Sequence, residues 1–186
     1  DAGMKQTRRT PVAGKVTVLP AVIVMFAIIG CATTPEPFFA SQDDGRRAKG
    51  GYNSDLRLIA TSEDVGGYFD VVDHAWPPGT QAGMHVHEFD AFYFVLEGTV
   101  RIDYGDYERI GSPGSLFFTP KGVPVSHSDA GGEGFRMLLL YMGGFGEGMD
   151  KMLDAIAELD PKDPDFGAKA NEIVRKIGKT GPPSER

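Results

Sequence analysis

The sequence has little cysteine, tryptophan or histidine. Of its 186 residues one is cysteine, one is tryptophan and four are histidine. With Cys31 alone, no disulfide can form within the chain. The N-terminal apolar run, Val16 to Gly30, is interrupted by Thr17 and Pro20 and is shorter than the ~20 residues a spanning helix usually needs. Positive charge is scarce. Residues 1–30 hold Lys5, Arg8, Arg9 and Lys15 against Asp1, so the net charge of -7 is +3 there and -10 over the rest. So acidic a body argues against nucleic acid as a partner, because phosphate binding needs a basic face. No nucleophile–histidine–acid pattern, phosphate-cradling loop or dinucleotide fingerprint is present; the glycine-rich Gly143 to Gly148 lacks the strand-turn-helix context such a loop needs.

What is present suits one globular domain with extensions. Hydrophobic residues make up 41 % of the chain, enough for a packed core, and 25 glycines with 13 prolines supply the tight turns of an all-β fold. The basic stretch up to Lys15, the apolar run and Ile28-Ile29-Gly30-Cys31 read as a targeting segment. The last four residues resemble the lipobox of bacterial lipoproteins, in which the cysteine is lipidated and becomes the mature N-terminus. Residues 1–31 are thus expected to be a signal or lipoprotein anchor placing the protein in the cell envelope, on the periplasmic side, tied to the membrane at Cys31. An uncleaved anchor and a buried strand are the alternatives. Arg8-Arg9 matches a twin-arginine signal poorly.

Residues 32–51, rich in Thr, Pro, Asp and Gly, read as a tether, with Phe38-Phe39 as an edge strand. Strands are expected at Leu56–Thr61, Tyr68–Trp76, the histidine-bearing stretch up to Gly98, Thr99–Tyr104, Tyr107–Ile110, Ser115–Thr119, Val123–His127 and Phe135–Met142. Gly105-Asp106 between two β-rich runs signals a hairpin. Short strands at regular spacing point to a sandwich or barrel over residues 52–142. Residues 143–186 change period. Met149, Met152, Leu153, Ile156 and Leu159 predict a helix stopped by Pro161 and Pro164; Ala168–Ile177 predicts a second. These helices are expected to pack on the barrel or on a second subunit, and the tail Thr180–Arg186 to be loose.

The chemistry concentrates in Gly79–Gly98, GTQAGMHVHEFDAFYFVLEG. Side chains alternate faces along a strand, so His85 and His87 point the same way. Two imidazoles on one strand face can share a divalent transition metal (Zn, Fe, Cu, Ni or Mn) or be two polar residues on a solvated face.

This stretch resembles the first cupin motif, a glycine, five residues, HxH, a glutamate and a closing glycine. Gly79, His85, His87 and Gly98 fit it, and Gly114, Pro120 and Gly122 fit the second motif. The span from about Pro37 to Pro183 resembles a single-domain quercetin 2,3-dioxygenase-like bacterial cupin. That resemblance implies a double-stranded β-helix, or jelly roll, with two C-terminal helices, a site inside the barrel, and often a homodimer. Two of the usual ligand positions hold other residues: the glutamate is Ala91 and the second-motif histidine is Val125. His127 lies two residues past Val125, on the same strand face, about 6.6 Å along. The resemblance therefore implies a metal triad of His85, His87 and His127, with Glu88 or Asp90 as a base, acting as a dioxygenase on a small aromatic or enolisable substrate. A non-catalytic envelope barrel that binds a small molecule or a protein partner is the alternative. Less specific expectations are that Tyr93, Phe92 and Phe94 pack in the core, that Met84 and Phe118 line a pocket, that Arg136 meets a substrate carboxylate or pairs at the rim, and that His74 has no role.

Overall fold

The computed structural model describes residues 36–143, 148–177 and the backbone of 180–181. The targeting segment expected over residues 1–31, Cys31 included, lies outside the described residues. Among the described residues no helix is long and apolar enough to cross a membrane.

Among the described residues, eleven strands and two α-helices follow in order: β1 (Arg46–Lys49), β2 (Asp55–Ala60), β3 (Phe69–Trp76), β4 (Val86–His87), β5 (Ala91–Gly98), β6 (Val100–Asp103), β7 (Glu108–Gly111), β8 (Leu116–Thr119), β9 (Ser126–Asp129), β10 (Phe135–Met142), α1 (Gly148–Ala157), α2 (Phe166–Ile177) and β11 (Thr180–Gly181). They form a six-stranded sheet, β1-β2-β3-β10-β5-β8, a three-stranded sheet, β7-β6-β9, and the pair β11-β4. This is the expected jelly roll with two C-terminal helices.

Period-2 alternation decides which side chains build the core. Val72 and Trp76 of β3, Ala91, Tyr93 and Val95 of β5, Val100 and Ile102 of β6, and Met137 and Leu139 of β10 are buried in one cluster. Tyr93 enters the core as expected. Phe92 and Phe94 do not, because their parity on β5 is opposite, and Phe118 of β8 is likewise exposed. The hairpin forms where Gly105 marks it: Asp103 pairs with Glu108, and Tyr104 N–H donates to the Tyr107 carbonyl.

The helices pack against the barrel. Met149, Met152, Leu153 and Ile156 of α1 and Phe166 and Ala170 of α2 join the same core. Both helical stripes were legible as amphipathic faces. Three local expectations fail. Phe38 and Phe39 form no strand and are exposed. Residues 46–49 of the supposed tether form β1, paired with β2. Thr180 and Gly181, expected to be loose, pair with His87 and Val86 of β4.

Arg136 settles its two alternatives by pairing on the outer side of the sheet. Its Nε and Nη2 donate to Asp73 at 2.7 Å each, and its Nη1 donates to Glu97 at 2.7 Å. Arg57 of β2 donates to the same Asp73 carboxylate at 3.0 Å. Hydrogen bonds from Arg136, helped by Arg57, hold the Asp73 carboxyl below its usual range despite burial, which acts the other way.

We expect Asp73→Asn to cost about 2 kcal/mol at pH 7, less than a fully buried pair because Arg136 is partly solvated. A depressed carboxyl stabilises the fold above its unfolded pKa of about 3.9, and that stability is lost as pH falls through the lower folded value. Urea unfolding of both proteins from pH 7 down to pH 3 should therefore show the gap narrowing in acid. Gly98, at φ 74°, is the other sensitive point: an added Cβ would run into the Gly134 carbonyl oxygen. Gly98→Ala should lower stability by about 2 kcal/mol or more in the same assay.

Candidate functional site

The segment before β5 is held by backbone pairing to the segment before and through β9. Asp129 N–H donates to the Thr80 carbonyl, Ala82 N–H to the His127 carbonyl, and His85 and Val125 exchange both backbone hydrogen bonds, at 3.0 and 2.8 Å. Gly122 N–H then donates to the His87 carbonyl. The Asp129 carboxylate clamps one end of this ribbon, accepting the N–H groups of Gly79 just before it and of Gly131, Gly132 and Gly134 just after it. Those donors hold the Asp129 carboxyl below its usual range.

Alternation along the two paired segments brings three histidines to one place. The His85 and His87 rings have centroids 4.8 Å apart, and those of His85 and His127 are 5.4 Å apart. They line a cavity of about 520 Å³ with Trp76, Tyr52, Met84, Tyr141, residues of α1 and α2, and His74. Met84 is thus a lining residue as expected. His74, given no role from sequence, stacks on Trp76 at 3.7 Å and shares a 2.7 Å hydrogen bond with Ser54 through Nε2. A period-2 reading from Val72 to Trp76 carries the signal for His74. Asn171 and Val174 reach the cavity only through the docking of α2, which no local pattern encodes.

All four imidazoles are driven toward the neutral form. Burial pushes His74 and His87 down to about 3, with His85 adding to the effect on His87. Burial also lowers His127 and His85, the latter opposed by its hydrogen bond to Gly83. His85 Nδ1 lies 2.8 Å from the Gly83 carbonyl, which can only accept, so this nitrogen carries the proton and Nε2 carries the lone pair. His87 Nε2 sits 3.2 Å from that lone pair, and an N–H there completes the contact. His87 Nδ1 is then a bare acceptor, in agreement with its buried, unpartnered state; His127 Nδ1 is also buried without a partner.

Glu88 and Asp90 are not brought to this place. They alternate with the buried His87 and Phe89, are exposed, and do not line the cavity. Asp90 instead accepts the backbone N–H of Lys121. The base expected of either residue therefore has no position from which to reach a bound molecule.

The donor set does not fit a resident metal. Two imidazole nitrogens converge, but Ala91 and Val125, both fully buried, offer no electron pair, and no carboxylate lines the cavity. Among the described residues no three His, Cys, Asp or Glu side chains are grouped to hold one ion.

Residues 73–141 match the family model of the cupin domain. No curated protein matches the chain. Among solved structures, the polyketide cyclase RemF from Streptomyces resistomycificus is 19 % identical, covering 58 % of this chain and 80 % of that one with a TM-score of 0.51. An RmlC-like cupin from Shewanella frigidimarina NCIMB 400 is 14 % identical, covering 60 % and 95 % with a TM-score of 0.51. At such identities the likeness shows the fold alone: the barrel has the cupin fold.

Replacing the His127 imidazole, whose buried Nδ1 has no hydrogen-bond partner, by a side chain of similar volume should cost little. His127→Leu is expected to unfold within about 1 kcal/mol of the parent, since an orphaned buried polar group contributes no net stability. Thermal melts of the two proteins check this.

Proposed function

We propose that this cupin-fold barrel binds a small, planar, largely apolar organic molecule carrying one or two hydrogen-bonding groups, at the cell envelope if Cys31 is its lipid attachment point. One observation carries the reading: a cavity of about 520 Å³ with apolar and aromatic walls, four uncharged imidazoles and no acidic group. Its volume falls in the range of small-ligand pockets, roughly 300–1,000 Å³. Neutral imidazoles offer both a donor and an acceptor without the desolvation cost of a buried charge, so they orient a polar substituent while Trp76 and the Met149 and Met152 side chains cover the ring. This is the binding-module alternative, with the metal positions of the cupin motifs replaced.

A second reading is favoured by a single geometric fact, the 3.2 Å approach of His85 Nε2 to His87 Nε2. Two nitrogens this close can chelate one ion, and a third donor would complete a metal-dependent, quercetinase-like dioxygenase site. The two readings part on metal content.

Trp76 is the chain's single tryptophan and lines the cavity, so its emission reports occupancy. Titration with flavonols, catechols and aromatic diketones should change Trp76 fluorescence saturably in metal-free protein, and Ala168→Phe, which adds bulk to the cavity wall without a second indole, should weaken that response for cavity ligands. Elemental analysis after incubation with iron, nickel, copper, manganese and zinc should find no stoichiometric metal. Stoichiometric metal that disappears in His85→Ala would replace the binding-module reading with the dioxygenase one.

A further inference from the structure

The cavity that holds the histidines is closed at one end and open at the other. His87, His127, Met149 and Met152 are buried at its inner end, whereas Tyr52, Gly83, Ala168 and Arg175 are exposed around its rim. Among the lining residues Arg175 alone carries a formal charge, since the imidazoles are neutral. It stands on α2 with Ala168, Asn171 and Val174, at the spacing of one helix face. Glu172, the one acid of α2, is held by Lys176 at 2.7 Å, and among the described residues Arg175 forms no ion pair. The Asn171 side chain likewise makes no hydrogen bond among the described residues, and a Cβ added at Gly51 would run into its oxygen. Beside α2 lies the turn Gly51–Asn53, where Tyr52 and Asn53 take the left-handed backbone at φ 59° and 60°. A tyrosine keeps that conformation only where its surroundings hold it. Here the phenol spans to the loop before β4, and its oxygen accepts the Gly83 N–H at 3.0 Å. The hydroxyl therefore keeps its own proton to donate at the rim.

We propose that the molecule taken by this cavity is an organic acid, its carboxylate at the rim against Arg175, Asn171 and the Tyr52 hydroxyl. Its apolar body then runs inward between Trp76 and the α1 methionines to the imidazoles. The inference rests on the binding reading above and narrows its ligand from polar to anionic. A guanidinium presents a planar fork that matches a carboxylate with two parallel hydrogen bonds. The Asn171 amide and the Tyr52 hydroxyl answer the lone pairs that remain. A cationic ligand would find no carboxylate in the wall, and a phosphate would bring a second charge to a single cation. An acid turned the other way would be buried among neutral rings with nothing to balance it. The -10 carried beyond residue 30 acts through solvent and fades within ~8 Å at physiological salt, so the guanidinium governs the rim.

The test is isothermal titration calorimetry on the metal-free full chain in a mild nonionic detergent at pH 7, with the detergent alone as blank. The probes are para-coumarate and its primary amide, planar molecules of one shape with a phenol at the far end for the imidazoles. The parent should bind the acid at least about tenfold more tightly than the amide, as a charge-assisted contact implies. Arg175→Met keeps an aliphatic stem on a good helix former, and should bring the two within about twofold by weakening the acid alone. Lys169→Met removes a cation of α2 that does not line the cavity, and should leave the preference unchanged. Circular-dichroism melts confirm folding, and Arg175→Gln replaces a variant that melts early. Equal affinity for acid and amide in the parent, a preference that survives the loss of Arg175, or an equal loss in Lys169→Met would each overturn this inference and leave the binding reading standing. A parent that binds neither probe overturns it as well; if flavonols, catechols and diketones also fail, the binding reading falls with it.

Discussion

The backbone pairing between residues 80–87 and 122–129 is the constraint on which the candidate site rests. His85 and Val125 exchange both main-chain hydrogen bonds, and His127 follows on the same inward parity. Shifting that pairing by one residue would turn His85 and His87 or His127 out of the barrel, since a one-residue slip reverses every side chain. The Asp129 carboxylate guards the register by gathering four glycine N–H groups from the two turns that meet at one end of the ribbon. Gly98 and the Asp73–Arg136–Glu97 chain do the same for the neighbouring strands.

Burial then decides what the histidines can be. An imidazole taken out of water loses its proton before it accepts an unpaired charge, and the downward shifts at all four positions share that leading cause. A neutral imidazole suits a metal as well as an organic ligand, so charge alone does not separate the two readings. The walls do. Ala91 and Val125, fully buried, stand where the cupin motifs carry donors, and no carboxylate lines the cavity to balance a divalent cation.

Much of this was legible in the sequence, for reasons that can be named. The jelly roll follows from short strands and punctuating glycines, and the two helices from apolar spacing, because both signals are local. The inward placement of His85, His87 and His127 follows from parity alone. What was missed depends on tertiary context. β1 and β11 are short strands whose pairing is set by distant partners. Phe92 and Phe94 read as core, and Phe118 as a pocket wall, because an apolar side chain in a strand is usually buried; only the sheet order shows that their face looks outward. Glu88 and Asp90 drop out by the same parity that admits His87 and Phe89, a test available in the sequence had it been applied through the turn.

Both faces of the six-stranded sheet are apolar. Its inner side packs the core and, at His74 and Trp76 of β3, lines the cavity, while its outer side, on β5, β8 and β10, carries phenylalanine and leucine. An apolar outer face left in water forgoes about 25 cal/mol for every Å² that burial would remove. A cavity of about 520 Å³ in turn forgoes packing that a filled core would supply. Under the binding reading proposed above, a molecule that uses the imidazoles supplies that packing.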